Sequence, residues 1–489
     1  MKNLYKLFGI IAFVTVIVFT IAACGDKPDP DPDPYIPSQP QPGDNTSNPI
    51  DRVENINLGT MTSPASGWRQ LLNSINSTGK YVNLDLSTCT MTGTSFNPDA
   101  TVVTGKNYIV SIILPNAATS IEVGTSSDPT FKNFTNLKSV SGANIITIGD
   151  YCFYRETGGY NFDYLQSADF PKATTIGESA FRDTYLESMN FPLVTAIGDY
   201  AFSSSWLKNA NFPKVQTIGE NAFSFCSDLE SISFPASAVL GYSSDDSSYS
   251  NPFASCRKLT SFTVNGSGSL SVIESRKALV RNGTILLAYP SASGTITMNN
   301  ITALDGQAFQ GCNLDSINLP QVTSIGSDAF SNCSNIQDVS FPLVTSVGSN
   351  AFSNCSRLQS ASFPLVTTIG SFAFSSCSAL VSLNIPKVTN IGRMAFGSRE
   401  NIALSITMGT TAPTLGRYIF DISSPTTVAV KVPAVASGYS PFTGTTVTVS
   451  GTNTTVNWAN GFRGGGWDGY SFEQYSQPNQ NISLVIQQQ

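Results

Sequence analysis

The chain has 489 residues, with 26 Lys and Arg against 33 Asp and Glu, a net charge of −7 and no histidine. Charged residues make up 12% of it, against ~25% in an ordinary soluble protein, while hydrophobic residues reach 41%. Without imidazole there is no Ser-His-Asp or Cys-His pair, no His-ligated zinc or haem and no histidine pH switch. A pI near 4.8 with so few basic residues also argues against a nucleic-acid footprint. A binding or scaffold protein survives, or an enzyme working with carboxylates alone.

At the N-terminus, Lys2 and Lys6 precede the uncharged stretch Leu7 to Ala23, which stops at Ile21-Ala22-Ala23-Cys24. This resembles the signal peptide and lipobox of bacterial lipoproteins. The resemblance implies removal of residues 1–23 and acylation of Cys24 by more than one chain, since a single chain holds a bilayer only marginally. The alternative is an uncleaved anchor, for which the 17 residues from Leu7 to Ala23 are at the short limit. No later segment is long and apolar enough to span a bilayer. Residues 24–55 form a Pro/Asp-rich tether around Asp29-Pro30-Asp31-Pro32-Asp33-Pro34. Alternating Asp resembles a calcium loop, but the sixth-position Gly and twelfth-position Glu are missing. Polyproline conformation at ~3.1 Å per residue would hold the body ~75 Å from the membrane. Acidic residues close behind an acylated Cys also resemble a surface-export signal of lipoproteins in some anaerobic Gram-negative bacteria.

Residues 56–135 suit an N-terminal α/β cap. Trp68, Leu71, Leu72 and Ile75 follow a helical spacing, and Tyr81 to Leu86 reads as a strand. A solenoid needs such a cover over its first coil.

From there self-similarity dominates. Ala-Phe recurs at Phe181, Phe202, Phe223, Phe309, Phe330, Phe352, Phe374 and Phe396, with steps of 21 or 22 residues within each run. Phe153 and Phe253 take the same place behind Cys152 and Pro252. In the unit 358–377, Leu358, Ala361 and Phe363 give the spacing L-x-x-L-x-L, a short strand with one buried face. Pro364 ends it, Val366 and Ile369 point inward, Gly370 supplies a turn that a Cβ would hinder, and Ala373-Phe374 begin a short helical turn. A unit this small cannot bury its own apolar face and must stack on copies of itself. The string F-P-x-V-T-x-I-G-x-x-A-F-x-x-C-x-x-L resembles the BspA-like subclass of leucine-rich repeats, found on surface proteins of anaerobic bacteria and some parasites. The resemblance implies a leucine-rich repeat solenoid over 136–406, each 21–22-residue coil a β-strand plus a short helical turn. Residues 236–305 depart from the period as a longer variant unit, with a hairpin turning at Asn282-Gly283 that interrupts the ladder but not the stack. Residues 407–489 lose the period and read as a β-rich, aromatic-rich C-terminal cap.

Candidate chemistry is sparse. Cys226, Cys256, Cys312, Cys333, Cys355 and Cys377 all sit three residues after the repeat Phe. An exported protein invites disulfides, but equivalent positions stack ~5 Å apart with parallel Cβ vectors, whereas a bridge needs Cβ atoms ~3.8 Å apart. Thr184 and Ser205 fill the same place, so buried free thiols are expected. Their spacing has no metal-site character. Ser205-Trp206-Leu207-Lys208 and Ser255-Cys256-Arg257-Lys258 match Ser-x-x-Lys only at ordinary repeat positions, and Gly464 to Gly469 fits G-x-G-x-x-G without a strand–helix unit around it. No catalytic residue, metal or cofactor is therefore assigned, and an enzyme is not expected.

The candidate binding surface is the outward half of each strand, read as a concave sheet. It consists of Ser167 and Asp169, Ser188 and Asn190, Asn209 and Asn211, and Ser231 and Ser233. In the later coils it continues as Ser316 and Asn318, Asp338 and Ser340, Ser360 and Ser362, and Ser382 and Asn384. This ribbon could hydrogen-bond a partner or merely satisfy itself in Ser/Asn ladders. It lacks the Trp, Tyr and Arg that anchor tight interfaces. Aromatics gather instead at Trp458, Phe462, Arg463, Trp467 and Tyr470, either a sugar-stacking platform or protein hot spot, or packing over the last coil. The acidic segment Tyr242 to Tyr249 reads as a projecting loop. The expected partners are a host or matrix protein, with the chain acting as an adhesin, or a glycan captured as a nutrient. Contact with the membrane is expected through the lipid anchor only, and none with nucleic acid.

Overall fold

In the coil that starts at Leu358, three short backbone segments face three neighbours. The computed structural model describes residues 58–98 apart from 61–62 and 64–65, then 104–154, 165–241, 251–397, 404–409 and 413–415. It also describes the backbone of strands Thr426–Val432, Thr446–Ser450, Asn453–Asn457 and Ile482–Gln488. All belong to one compact unit, Pro49–Gln489. On the first side, Ser360–Ser362 lies between Asp338–Ser340 and Ser382–Asn384 in a parallel ladder, with Ala361 buried and the two serines half-exposed. On the second, Thr368–Ile369 pairs in parallel with Ser346–Val347 and Asn390–Ile391. On the third, the amides of Phe372, Phe374 and Ser376 donate to the carbonyls of Arg393, Ala395 and Gly397 one coil on. The expected strand-and-turn coil thus carries a second strand and a third, turn-built ladder. The turn cannot run on as a regular helix, because alternate donors leave for the next coil. Phe372 and Ser376 have φ of 58° each.

Glycine is demanded by coil spacing rather than by a left-handed φ. A Cβ on Gly370 would lie 2.4 Å from the Ser349 amide nitrogen and 2.5 Å from the Gly348 carbonyl carbon, both backbone atoms of the preceding coil. Neither can move without parting the ladders on either side. Gly370→Ala is expected to cost ~2–4 kcal/mol, as overpacking against rigid backbone does, and urea melts of the two proteins measure it.

Inside the coil, the repeat phenylalanines form two columns. Phe181, Phe202 and Phe223 stack with centroids 5.4 and 5.2 Å apart, and Phe330, Phe352 and Phe374 with 5.0 and 5.3 Å. Interplanar angles of 2–11° show that register is kept from coil to coil. Every one of these rings is fully buried. The second ladder runs without a gap from Ser95–Phe96 to Val239–Leu240, and again from the hairpin region to Thr414–Leu415. The strand ladder begins at Val82–Asp85, inside the segment read as a cap, so stacked coils already run through residues 82–121. Helix Gly67–Thr78 precedes it, capped by Ser66, whose side chain accepts from the Arg69 amide, and closed by left-handed Gly79. Its buried residues are Trp68, Leu71, Leu72 and Ile75, as their spacing predicts.

The longer unit contains the expected hairpin. Ala278–Arg281 and Ile285–Ala288 pair antiparallel with Arg281 opposite Ile285. Between them Asn282 and Gly283 take φ of 52° and 72°, the positive φ of a type I′ turn, closed by the Thr284 amide on the Arg281 carbonyl. Its strands alternate between two hydrophobic clusters. Leu279 and Leu287 join the cluster of the earlier coils, while Ala278, Val280 and Leu286 join that of the later ones. Strands Thr426–Val432 and Ile482–Gln488 extend the last strand ladder, and Asn453–Asn457 and Thr446–Ser450 add to it antiparallel. Among the described residues no helix is long and apolar enough to cross a membrane.

Candidate functional site

Strand alternation places the Ser/Asn/Asp ribbon where the sequence predicts. In Asn209–Asn211 and Asp338–Ser340 the middle residue is buried and both flanks are exposed, and none of the sixteen ribbon side chains is buried. The ribbon is largely tied to itself. Asn190 Nδ2 donates to Asp169 Oδ1 at 2.8 Å, Ser231 Oγ to Asn209 Oδ1 at 2.6 Å and Asn384 Nδ2 to Ser362 Oγ at 3.1 Å. It is not one continuous sheet, however. Among the described residues no strand ladder joins Ser188–Asn190 to Asn209–Asn211, or Asn313–Asn318 to Asp338–Ser340, although the second ladder continues across both places. Beside the first gap lies a depression of ≈310 Å³, lined by Met189, Asn190, Asn209, Asn211, Ser231 and Ser233 with Pro192 and Pro213.

The turn face carries the residue types that the ribbon lacks. Each coil there begins at the Gly that precedes Ala-Phe, so Asp150, Glu178, Asp199 and Glu220 form one column and Tyr151 and Tyr200 sit in the next. The Tyr151 hydroxyl donates to Glu178 Oε1, which raises its phenol above the usual value. Arg182 follows the repeat Phe181, and its guanidinium lies 5.7 Å from the Tyr154 ring centroid and 5.2 Å from that of Tyr200. Its Nε is 3.4 Å from Asp183 Oδ2. At the far end of the same turns, the Tyr185 and Trp206 rings pack 4.7 Å apart, with Trp206 48% exposed. Phe225, at the place of Ser204 in the next coil, is 59% exposed. Sequence reading missed this surface because its members are scattered singly at 21- to 28-residue steps. The available signal was the acidic column directly after the repeat Gly.

Each column cysteine has a partner. The thiols of Cys226, Cys333, Cys355 and Cys377 donate to the carbonyls of Phe202, Phe309, Phe330 and Phe352 at 3.0–3.1 Å, one coil back. All eight described cysteines are buried and free, as the parallel stacking predicts. The Ser-x-x-Lys matches do not assemble. Ser205 is buried against Cys226 Sγ at 3.3 Å while Lys208 is exposed, and Lys258 pairs with Asp228 at 2.6 Å. Among the described residues no group of three or more acidic or thiol side chains gathers as metal donors. Cys24, the segment from Tyr242 to Tyr249, and Trp458, Phe462, Arg463, Trp467 and Tyr470 lie outside the described residues.

The pattern over 97–163, 156–276 and 295–427 matches the BspA type leucine rich repeat region in six copies. The chain belongs to the BspA-type leucine-rich repeat family. Solved structures similar to this BspA-type chain include a leucine-rich repeat protein from Eubacterium ventriosum, at 20% identity over 62% of this chain and 81% of that one, TM-score 0.44. Others are a leucine rich cell surface protein from Faecalibacterium prausnitzii, at 21% identity over 57% and 81%, TM-score 0.38, and a leucine-rich repeat protein from Bacteroides ovatus, at 22% over 67% and 80%, TM-score 0.35. No curated protein matches the chain.

Proposed function

We propose that this protein is a non-enzymatic binding module of the bacterial surface, lipid-anchored at Cys24, and an adhesin for host or matrix proteins. The observation that carries the reading is the turn face from Tyr151 to Phe225. It combines half-exposed Trp206, two tyrosines and an arginine, the side chains that supply most of the binding energy at protein interfaces. Many copies on one cell would multiply weak single contacts. Family membership supports the surface setting, and the lipobox and Pro/Asp tether supply an anchor and a spacer.

The detergent-solubilised full chain, tested against immobilised matrix proteins and a glycan array, is expected to bind at least one matrix protein. Trp206→Ala should weaken that binding at least fivefold. A second reading, glycan capture, draws on the amide- and hydroxyl-lined depression beside Asn209 and Asn211. Glycan binding alone, abolished by Trp467→Ala or Asn211→Ala, would replace the adhesin reading. Hydrolysis of a glycan, lost on changing one Asp or Glu, would overturn both.

A further inference from the structure

The turn face differs between the two halves of the stack. In the earlier coils the position after the repeat Gly is Asp150, Glu178, Asp199 and Glu220, whereas in the later coils it is Ser327, Ser349, Ser371 and Arg393. Coils form equally well with either set, so stacking does not require the carboxylates. Asp150 and Asp199 use one oxygen each to accept the amide of Glu178 and Glu220 in the next coil, at 2.8 and 2.7 Å. An uncharged acceptor would serve that purpose as well. The turns of these coils carry Tyr151, Tyr154, Tyr185, Tyr200, Trp206 and Phe225, of which Trp206 and Phe225 are exposed and the four tyrosines half-buried, whereas the later turns carry half-buried Phe372 beside Arg393.

Charge on this surface is one-sided. Asp183 joins the four carboxylates of the column, and among the described residues Arg182 is the single cation set between them. Beyond either end of the column, Lys132 pairs with Asp128 at 3.5 Å and Lys258 with Asp228 at 2.6 Å, while exposed Arg257 lies beside Gly311 of the following coils. Packing of Arg182 between the Tyr154 and Tyr200 rings displays the chemistry at work, a guanidinium held by aromatic faces beside carboxylates. Trp206 and Phe225, about half or more exposed, offer further ring faces on the same turns.

From this juxtaposition we infer that the turn face from Asp150 to Phe225 docks a lysine- and arginine-rich polypeptide segment. The inference rests on the protein-binding reading above and names the partner's chemistry. Cationic side chains of the partner meet Glu178 and Asp199, and their aliphatic stems or neighbouring apolar groups lie over Trp206 and Phe225. Glu178 and Asp199 are exposed and Asp150, Asp183 and Glu220 half-buried, so attraction falls as salt rises through the physiological range.

The test uses the detergent-solubilised full chain and a fluorescein-labelled nona-arginine peptide, with nona-glutamate as the opposite-charge probe. Nona-arginine is expected to bind, to weaken at least fivefold between 50 and 300 mM NaCl, and to quench tryptophan emission; nona-glutamate is expected not to bind. The double variant Glu178→Gln, Asp199→Asn should weaken binding at least tenfold with an unchanged melting temperature, because the amide side chain that replaces Asp199 keeps an acceptor oxygen. Asp315→Asn with Asp338→Asn removes the same charge from the strand side and should leave affinity within twofold. Trp206→Ala should abolish the quenching. Equal loss in both double variants would mean attraction by net charge alone and would overturn the inference, as would absence of nona-arginine binding. Matrix-protein binding that depends on Trp206 but not on Glu178 and Asp199 would sink this inference while leaving the adhesin reading intact.

Discussion

Phe352→Ala is expected to lower the stability of the later coils by ~3–5 kcal/mol, the range for emptying a fully buried aromatic site. The ring is inaccessible to solvent and touches four others, Phe330 and Phe374 in its own column and Phe341 and Phe363 beside it. Its removal therefore loosens two inter-coil interfaces together. In a solenoid such a loss stays with nearest neighbours. The two hydrophobic clusters, Leu58 to Ala288 and Ala278 to Met408, meet at the two faces of one hairpin. Urea unfolding of the variant should consequently split into two steps. Trp68 emission, read after Trp206, Trp458 and Trp467 are replaced by Phe, should follow the earlier coils and far-UV circular dichroism both. The Trp68 midpoint should stay near that of the parent protein while the other falls. Phe352→Leu, which keeps most of the volume, should cost under ~1.5 kcal/mol. A single transition shifted as a whole for both probes would show that the hairpin transmits cooperativity and would refute the two-cluster picture.

The strand side of this fold was legible because its code is redundant. L-x-x-L-x-L and Ala-Phe recur often enough that one weak unit, such as Ser188–Asn190 with its partly exposed Met189, cannot disguise the register. The hairpin at Asn282-Gly283 was legible for the opposite reason, a local turn chemistry that needs no repetition. Two ladders escaped notice for physical reasons. Thr368–Ile369 and its equivalents are two residues long, too short for alternation to show. The third ladder rests on left-handed φ at residues such as Phe372 and Ser376, which no propensity scale would assign to a non-glycine side chain.

Site reading failed where it asked for consensus. Outward strand positions repeat, so they were easy to collect, yet repetition there reflects hydrogen-bonded ladders such as Asn190 to Asp169. Tyr154, Arg182 and Trp206 depart from the pattern of their own repeats, where Ser203 and Ser224, or Ser227, would do. A departure that places a large ring on an exposed turn is not needed to close the coil, although Tyr185 and Trp206 also pack on each other across successive coils. In a solenoid the residues that break the period without harming the coil are the ones to weigh first as contacts.

Alkaline pH is expected to unfold this protein well before its backbone chemistry suffers. Burial pushes the thiols of Cys152, Cys256, Cys312, Cys333 and Cys355 above the usual value, that of Cys333 to about 12. Each sits in a dry interior and donates its proton to a carbonyl, so the thiolate would lose both hydration and a hydrogen bond. In the unfolded chain the same thiols ionise near pH 9. Above that pH the unfolded state binds fewer protons than the folded one, so stability present below pH 9 is lost as pH rises toward the folded values. The slope is ~1.4 kcal/mol per pH unit for each thiol and up to ~5 for Cys152, Cys312, Cys333 and Cys355 together, because Cys256 shares its titration with Cys226, whose thiol is shifted down. Net stability of ~5–10 kcal/mol would then vanish between about pH 9 and pH 11. Urea midpoints at pH 7, 8, 9 and 10 should be level over the first interval and fall steeply over the last. A thiol reagent at pH 8 should find the eight described cysteines silent in the folded protein and all of them reactive in urea. Cys333→Ser with Cys355→Ser tests the cause directly, since Ser205 already fills this column in another coil. That variant should start lower at pH 7 yet lose ~3 kcal/mol less per pH unit above pH 9. Midpoints that stay level to pH 10, or a slope untouched by removing two thiols, would contradict the account.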